Sequence, residues 1–467
     1  MTHLEHEWKR AAAMQRERNR DITFTSTSDS SDTFYVLDTR NRRWVSKGGV
    51  VTAVDKQAAF APIAAGSYGC VFMPRLLTLG EDVDTPRGTE LISKLMTLGN
   101  ASKEWEEQKN IKDRLITTGV AVDGDNRYIF GVGSGPMKVG EMSPSDMKHA
   151  ESVCSNFKNR LTMENLKDAK WLNRKVRKID QPNGGVSLRG ALKNAGGDTN
   201  SVFLKMMDIY AMDGGLIDNI VAMNTSGVFH GDIKPDNLTI SSDTNTISII
   251  DWGLASMEER DVDDLGCAFW EGMEPMNTWM FNIPTTNIAY TEEVFDLFDN
   301  NNIITPALMW DAMFEFVVGA YEKGNPSSHL DMIIAYVATY RKLRPDWIPE
   351  KELWKNYNTT QARRVGGLGI SMRSTMFFVA ILTRRMLAVM DLSNGLVGEL
   401  YFNEVYKYNV DIWGALTVLQ PVFGQIDYAM VDKEAYADLF QYIFIDGGDR
   451  TPYDIDKVKK MIRKLRV

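Results

Sequence analysis

The 467-residue chain has only three cysteines, Cys70, Cys154 and Cys267, and no CxxC pair. That is too few for a disulfide framework, and it fits a reducing compartment. A long apolar run is missing too. The longest, near Met376-Phe-Phe-Val-Ala-Ile-Leu382, falls far short of a membrane span. The opening residues, Met1-Thr-His-Leu-Glu-His-Glu-Trp-Lys-Arg10, are charged and have no apolar core, so they do not read as a signal peptide. Nor is there a surplus of base: 53 Lys and Arg stand against 62 Asp and Glu, for a net charge of −9. That balance argues against nucleic acid as the main partner. Basic clusters at Arg16, Arg18 and Arg20, and from Lys457 to Arg466, read as solvated helix faces. These absences point to a soluble, cytoplasmic protein with no membrane partner.

What the chain does have is the composition of a globular protein, 44% hydrophobic and 25% charged, at a length that exceeds one ordinary domain. Its most informative stretch is His230-Gly-Asp-Ile-Lys-Pro-Asp-Asn237, followed by Ile249-Ile-Asp-Trp-Gly253. The spacing suits phosphoryl transfer from a metal-bound nucleotide. Asp232 can orient and deprotonate an attacking hydroxyl, while Asn237 and Asp251 can offer oxygen ligands to Mg²⁺. Between them, Leu238-Thr-Ile and Thr246-Ile-Ser-Ile-Ile read as strands around a polar turn, a hairpin that returns Asp251 to the side of Asn237.

Upstream, Phe60-Ala-Pro-Ile-Ala-Ala-Gly-Ser-Tyr-Gly-Cys-Val-Phe72 reads as strand, turn and strand. Backbone amides around Ala64, Gly66, Ser67 and Gly69 are free there to face phosphate oxygens, with Val71 on the returning strand. Thr89-Glu-Leu-Ile-Ser-Lys-Leu-Met96 alternates as a strand and presents Lys94 to one face. A helix over Ala101–Leu115 places Glu104 and Glu107 on one side. Glu107 is the preferred partner for Lys94, because Ile111 and Leu115 follow it at helical spacing.

Further expectations concern the elements in between. Ile129-Phe130 and Trp171–Ile179 are candidate central strands, and Ile179–Leu188 is a linker with a pivot at Gly184-Gly185. Backbone groups around Gln181 face an adenine edge in this reading. Ser201–Ser226 carries one amphipathic helix that feeds the 230–237 loop. The 160 residues from Asp251 to Asp411 include three apolar helical patterns, over 303–321, 330–340 and 373–389, so they form a folded helical insertion.

Taken together, Ala-Gly-Ser-Tyr-Gly, Ser-Lys-Leu-Met, His-Gly-Asp-Ile-Lys-Pro-Asp-Asn, Ile-Asp-Trp-Gly and Asn409-Val-Asp-Ile-Trp-Gly414 resemble the motif set of the protein kinase superfamily, in kinase order. Within it they are similar to serine/threonine kinases of large DNA viruses. The resemblance implies an α+β, bilobal fold with a small β-rich N-lobe and a large helical C-lobe. The expected divisions are an extension over 1–50, the N-lobe over 51–183 and the C-lobe over 184–467, with an insertion from about 257 to 410.

The resemblance also implies ATP and Mg²⁺ as cofactors, and protein Ser/Thr hydroxyls as acceptors. Asp232 and Lys234 are then catalytic, Lys94 fixes the nucleotide phosphates, and Asp411 anchors the loop backbone. Substrate proteins are the partners, with virion components among them and a place in the host cytoplasm or particle if the chain is viral. Two departures stand out. Ala64 replaces the first glycine of the Gly-rich loop, and Gly231 replaces the arginine that usually pairs with a phosphorylated activation segment. His-Gly-Asp with Ile-Asp-Trp-Gly also resembles aminoglycoside and choline kinases, so a small-molecule acceptor is an alternative, as is a binding-only pseudokinase.

Overall fold

The computed structural model describes residues 35–38, 43–46, 61–65, 69–120 apart from 83, 86 and 89, 133–154, 163–194, 199–241, 246–252, 255–257, 297, 303–322, 337–346 apart from 339, 353–391, 396–397, 405, 407–418, 429–446 and 451–466. The expected N-terminal helix, the strand at Ile129-Phe130, Gly66, Ser67 and Gly253 lie outside these residues. The chain divides into two compact units, Met1–Phe60 and Ala61–Val467. In the first, β1 (Tyr35–Asp38) and β2 (Arg43–Ser46) pair antiparallel, with Tyr35 opposite Ser46.

The second unit begins with an antiparallel sheet of β3 (Ala61–Ala65), β4 (Gly69–Met73), β5 (Leu91–Thr97) and β6 (Val176–Pro182), in that order. A segment at 134–137 bonds along the far edge of β6, with Ser134 N–H donating to the Asp180 carbonyl and Met137 bridging to Lys178. Register places Ala64, Val71, Lys94 and Ile179 in one row across the four strands. Side chains alternate faces along a strand, so Cys70, Phe72 and Leu95 point to the face opposite Lys94.

The Lys94 face is covered by helix α1 (Leu98–Thr117), capped by the Thr97 side chain, which accepts from Asn100 N–H. Ala101 and Trp105 of α1 pack on Met96 and Ile179, while Ile111 and Leu115 two turns on belong to a separate, larger core. One helix thus joins sheet to helices. The opposite face is covered by α2 (Pro144–Val153), with α3 (Met163–Lys167) and α4 (Ala169–Lys175) following. Ala150 and Leu172 there meet Cys70, Phe72 and Leu95 in a compact apolar cluster. The expected strand over Trp171–Ile179 starts only at Val176. The Asp168 carboxylate accepts from Lys170 and Trp171 N–H and so turns the preceding residues into a helix.

Cys70 and Cys154 are joined by a disulfide across 84 residues, their Cα atoms 5.5 Å apart. Their scarcity in the sequence suggested free thiols. The fold, by docking the end of α2 against β4, supplies one bridge rather than a framework.

After β6 come a turn, β7 (Val186–Ser187), α5 (Leu188–Asn194), α6 (Thr199–Ala211) and α7 (Leu216–Thr225). The single helix expected over Ser201–Ser226 is therefore two. The break falls at Met212–Gly215, where Gly214 takes φ +67° and its N–H donates to Asp218. Next are β8 (Val228–Phe229), the hairpin of β9 (Leu238–Ser241) and β10 (Thr246–Ile249), and β11 (Ser256–Met257), which pairs with β8. The remaining helices are α8 (Pro306–Glu322), α9 (Thr359–Gly367), α10 (Met372–Val389), α11 (Lys407–Thr417), α12 (Lys433–Phe440) and α13 (Ile455–Arg463). Residues of α6, α7, α8, α10, α11 and α12 share one large core with β8 to β10, so α8 and α10, the described long helices of the expected insertion, pack into that core.

The C-terminal basic run is the exposed face expected at Lys457, Lys460 and Lys464, but Lys459 and Arg463 dock on acids. Lys459 is almost fully buried and donates to Asp213 and Asp218, while Arg463 donates to Asp213 and to the Ala211 carbonyl. Among the described residues no helix is long and apolar enough to cross a membrane.

Candidate active site

The loop from His230 to Asn237 is suspended from α11. Asp411, fully buried, accepts His230 N–H through Oδ2 and Gly231 N–H through Oδ1, both at 2.8 Å. Asn224 at the end of α7 also donates to Asp411 Oδ2 and to the Val228 carbonyl. Buried charge-assisted bonds of this kind are stronger than neutral ones and leave little choice of loop conformation. Gly231 adopts φ +69°, a left-handed value that costs an L side chain roughly 1 kcal/mol. Glycine at the position where arginine was expected therefore relaxes the turn as well as removing a charge.

His230 is fully buried, and its ring spans the loop. Nε2 lies 3.1 Å from the Ile250 carbonyl, and Nδ1 accepts Asp232 N–H at 3.3 Å. Trp252 packs edge-on against it, centroid to centroid 4.9 Å. The histidine thus ties the stretch before Asp251 to the loop that carries Asp232, a structural role.

Asp232 is only 3% exposed. Its Oδ2 accepts from Lys234 Nζ at 2.7 Å and Asn237 Nδ2 at 2.9 Å, while its Oδ1 is buried with no hydrogen-bond partner among the described residues. Burial pushes this carboxyl above the usual aspartate value, and Lys234 and His230 only partly offset that. A carboxylate held by one oxygen, with the other free and its basicity raised, is suited to accept a hydrogen bond and then a proton from an incoming hydroxyl.

The β9–β10 hairpin does what its spacing implied. Leu238 sits opposite Ile249, and Ile250 N–H donates to the Asn237 carbonyl at 2.9 Å. Asn237 spends its amide nitrogen on the Asp232 carbonyl and carboxylate. Its side-chain oxygen is then the atom left to face a ligand. Asp251 follows with φ +64°, the one non-glycine residue among those described in the left-handed region. Burial works against its ionisation, but Lys94 first, then His230 and Lys234, outweigh it and hold the carboxyl below its usual value. Two carboxyls of one site are thus pushed in opposite directions, Asp232 up and Asp251 down.

Lys94 links this loop to the sheet. Its Nζ donates to Glu104 Oε1 and Oε2, both at 2.8 Å, and to Asp251 Oδ1 at 3.4 Å. Burial alone would depress the ammonium, but Asp251 and Glu104 together hold it above the usual lysine range. The expected partner was Glu107, and that expectation is corrected. Glu107 is a half-exposed residue that pairs with Lys103 at 3.6 Å one turn away. Glu104 lies on the same side of α1 as Ala101 and Gln108, the side buried against the sheet.

Sequence reasoning also missed the relay behind this pair. Gln108 donates to Glu104 Oε1, and Gln181 donates to Gln108 Oε1, each at 3.1 Å. The side chain of Gln181 therefore braces α1, whatever its backbone does. Gly69, expected beside the phosphates, has a packing reason of its own. A Cβ there would sit 2.7 Å from the Leu95 carbonyl oxygen.

Of the anticipated site residues, Lys94, Asp232, Lys234, Asn237 and Asp251 are linked by hydrogen bonds, in two groups joined through the Asn237–Ile250 contact. Ala64 and Val71 share Lys94's row of the sheet. Asn237 and Asp251 fit a hard divalent cation, since a carboxylate and an amide oxygen with phosphate and water completing the shell is a common Mg²⁺ arrangement.

No protein-family model matches the chain. Two curated proteins share short stretches with it. The negative regulator of sexual conjugation and meiosis of Schizosaccharomyces pombe is 35% identical over 60 residues, 13% of this chain and 13% of that protein. Serine/threonine-protein kinase KSP1 of Saccharomyces cerevisiae is 40% identical over 48 residues, 10% of this chain and 5% of that protein. The chain thus spans a small part of either relative, and it carries a stretch of sequence similar to part of a protein kinase.

Proposed function

We propose that the protein is an ATP-dependent serine/threonine protein kinase with a bilobal, kinase-like arrangement of the sheet and the helical core. The observation that carries this reading is the pair of carboxyls around one loop. Asp232 is held by Lys234 and Asn237 with one oxygen unpartnered, and Asp251 is held by Lys94 from the sheet. The local similarity to a serine/threonine kinase supports it.

In this reading the acceptor hydroxyl hydrogen-bonds to the Asp232 carboxylate and passes its proton there as the γ-phosphoryl group is transferred. Lys234 neutralises charge on the transferred group, and Lys94 fixes the nucleotide phosphates with Glu104 holding it in place. Asn237 and Asp251 would hold Mg²⁺, which supplies charge neutralisation on the phosphates when bound. Positioning and electrostatics are the protein's main contributions in such a reaction.

The test is Mg²⁺-dependent transfer of labelled phosphate from ATP to a protein acceptor by wild type and Asp232→Asn. The asparagine is isosteric but cannot take a proton, and a loss of about 10²–10⁴-fold is expected. Equal incorporation by both would sink the enzyme reading, whereas transfer to a small alcohol but not to protein would redirect it.

A further inference from the structure

Some arginines in the helical part of the second unit are held by acids: Arg344 meets Glu434 and Asp438, and Arg364 meets Glu315 and Glu322. Arg341 and Arg373 are not. Both guanidinium groups lie over the ring of Phe377, with Cζ 4.6 Å and 5.8 Å from its centroid. Among the described residues no carboxylate lies within ion-pair distance of either. Arg341 Nη1 reaches only Ser374 Oγ, at 3.5 Å, and its Nε is buried without a hydrogen-bond partner.

A like-charged pair at one aromatic ring is stabilised by the ring quadrupole but repels itself, and burial and Arg373 together press the Arg341 pKa down. The pair also sits at the start of an 18-residue helix, α10, whose first turn holds no acidic residue. Ser371 precedes that helix, with its carbonyl accepting Thr375 N–H and its Oγ accepting Ser374 N–H. Unpaired N–H groups and the positive end of the helix dipole add to the two cations.

We propose that Arg341, Arg373 and the N-terminus of α10 form a docking site for a phosphorylated serine or threonine side chain of a partner polypeptide. Two guanidinium forks balance one phosphate dianion and match its oxygens geometrically. Arg373 is an exposed residue, and Arg341 Nη1 makes only the long contact to Ser374, so both guanidinium groups keep donors for a ligand. Nucleic acid and anionic membranes need an extended basic surface. This chain has net charge −9 and two cations at one point. The site stands apart from the proposed phosphotransfer centre and survives if that reading fails.

The test is fluorescence anisotropy of the full chain with a labelled degenerate peptide pool carrying one central phosphoserine, against the same pool unphosphorylated. The phosphorylated pool should bind at least tenfold tighter. Arg341→Gln with Arg373→Gln should erase the preference with an unchanged thermal midpoint. Because Arg341 is partly buried, the exposed single variant Arg373→Glu serves as a second probe and should weaken binding at least fivefold. Equal binding of the two pools, or full preference in Arg373→Glu, overturns the proposal. So does arginine-dependent sedimentation with vesicles of phosphatidylserine and phosphatidylcholine in the absence of any phosphopeptide preference.

Discussion

The sheet side of the site and its loop side are built on different principles. On the sheet side, charge meets charge: Lys94 of β5 with Glu104 of α1 across elements, and, within β6, fully buried Lys178 with Asp180 two residues on, beside Ser93 and the Leu76 carbonyl. On the loop side, side chains meet backbone: Asp411 with two N–H groups, His230 with the Ile250 carbonyl, and Asn237 with the Asp232 carbonyl. Backbone partners are set by position in the chain, so a loop of this sort leaves a fixed spacing in the sequence. Partners between elements depend on helix rotation and sheet register, which spacing does not record.

That difference decides which parts of the site were legible. His230 to Asn237 and the β9–β10 hairpin could be read from spacing because each bond follows from a local turn or a backbone group, whereas the distant Asp411 was indicated only by the resemblance. Glu104 over Glu107 could not, since both occupy one side of an isolated helix. The choice follows from Ala101 and Gln108 turning the Glu104 edge toward Met96 and Ile179. A closer reading of the small Ala101, three residues before Glu104, as the contact with the sheet would have favoured the right residue. The disulfide was invisible for the same reason, as were the break at Gly214 and the use of Lys459 and Arg463 against Asp213 and Asp218. The kinase-like bilobal organisation is a proposal that rests on the resemblance and on this site, while the mixed sheet-and-helix character is seen directly.

Substitutions can separate the two principles. The largest effect is expected on the loop side. Asp411→Ala leaves the His230 and Gly231 N–H groups and Asn224 without their buried acceptor, and should cost about 3–5 kcal/mol in urea unfolding. A cost below about 1 kcal/mol would show that the loop holds its shape without this anchor. Next is the bridge: Cys70→Ser with Cys154→Ser, or reductant, should lower stability by about 2–4 kcal/mol, given the long loop it closes.

On the sheet side, Glu104→Gln should reduce phosphate transfer about tenfold or more by loosening Lys94, whereas Glu107→Gln, with an exposed pair worth about 0.5 kcal/mol, should leave the rate alone. Reversal of that order would return the pairing to Glu107.

A pH profile gives a finer separation. Protonated Asp232 cannot accept a proton, and its pKa lies above the usual aspartate value, so activity should fall on the acid side while Asp251, pressed downward, is still ionised. Removing the offsetting cation in Lys234→Met should move that acid limb to higher pH, a shift read from kcat/KM against pH. A limb that stays put would assign it to another group. The smallest change is expected from phosphatase treatment of the purified enzyme. With Gly231 in place of the usual arginine, its rate should be unchanged, and a large loss would restore control by a phosphorylated segment.

The bridge between Cys70 and Cys154 has a topological consequence as well. It closes a covalent ring that contains all of β5 and α1, and hence both Lys94 and Glu104. A single protease cut anywhere inside that ring opens it without releasing a piece. The nicked chain should migrate as one band until reductant is added, then as two. Limited digestion read only on non-reducing gels would therefore report an intact molecule whose chain had already been cut inside that ring.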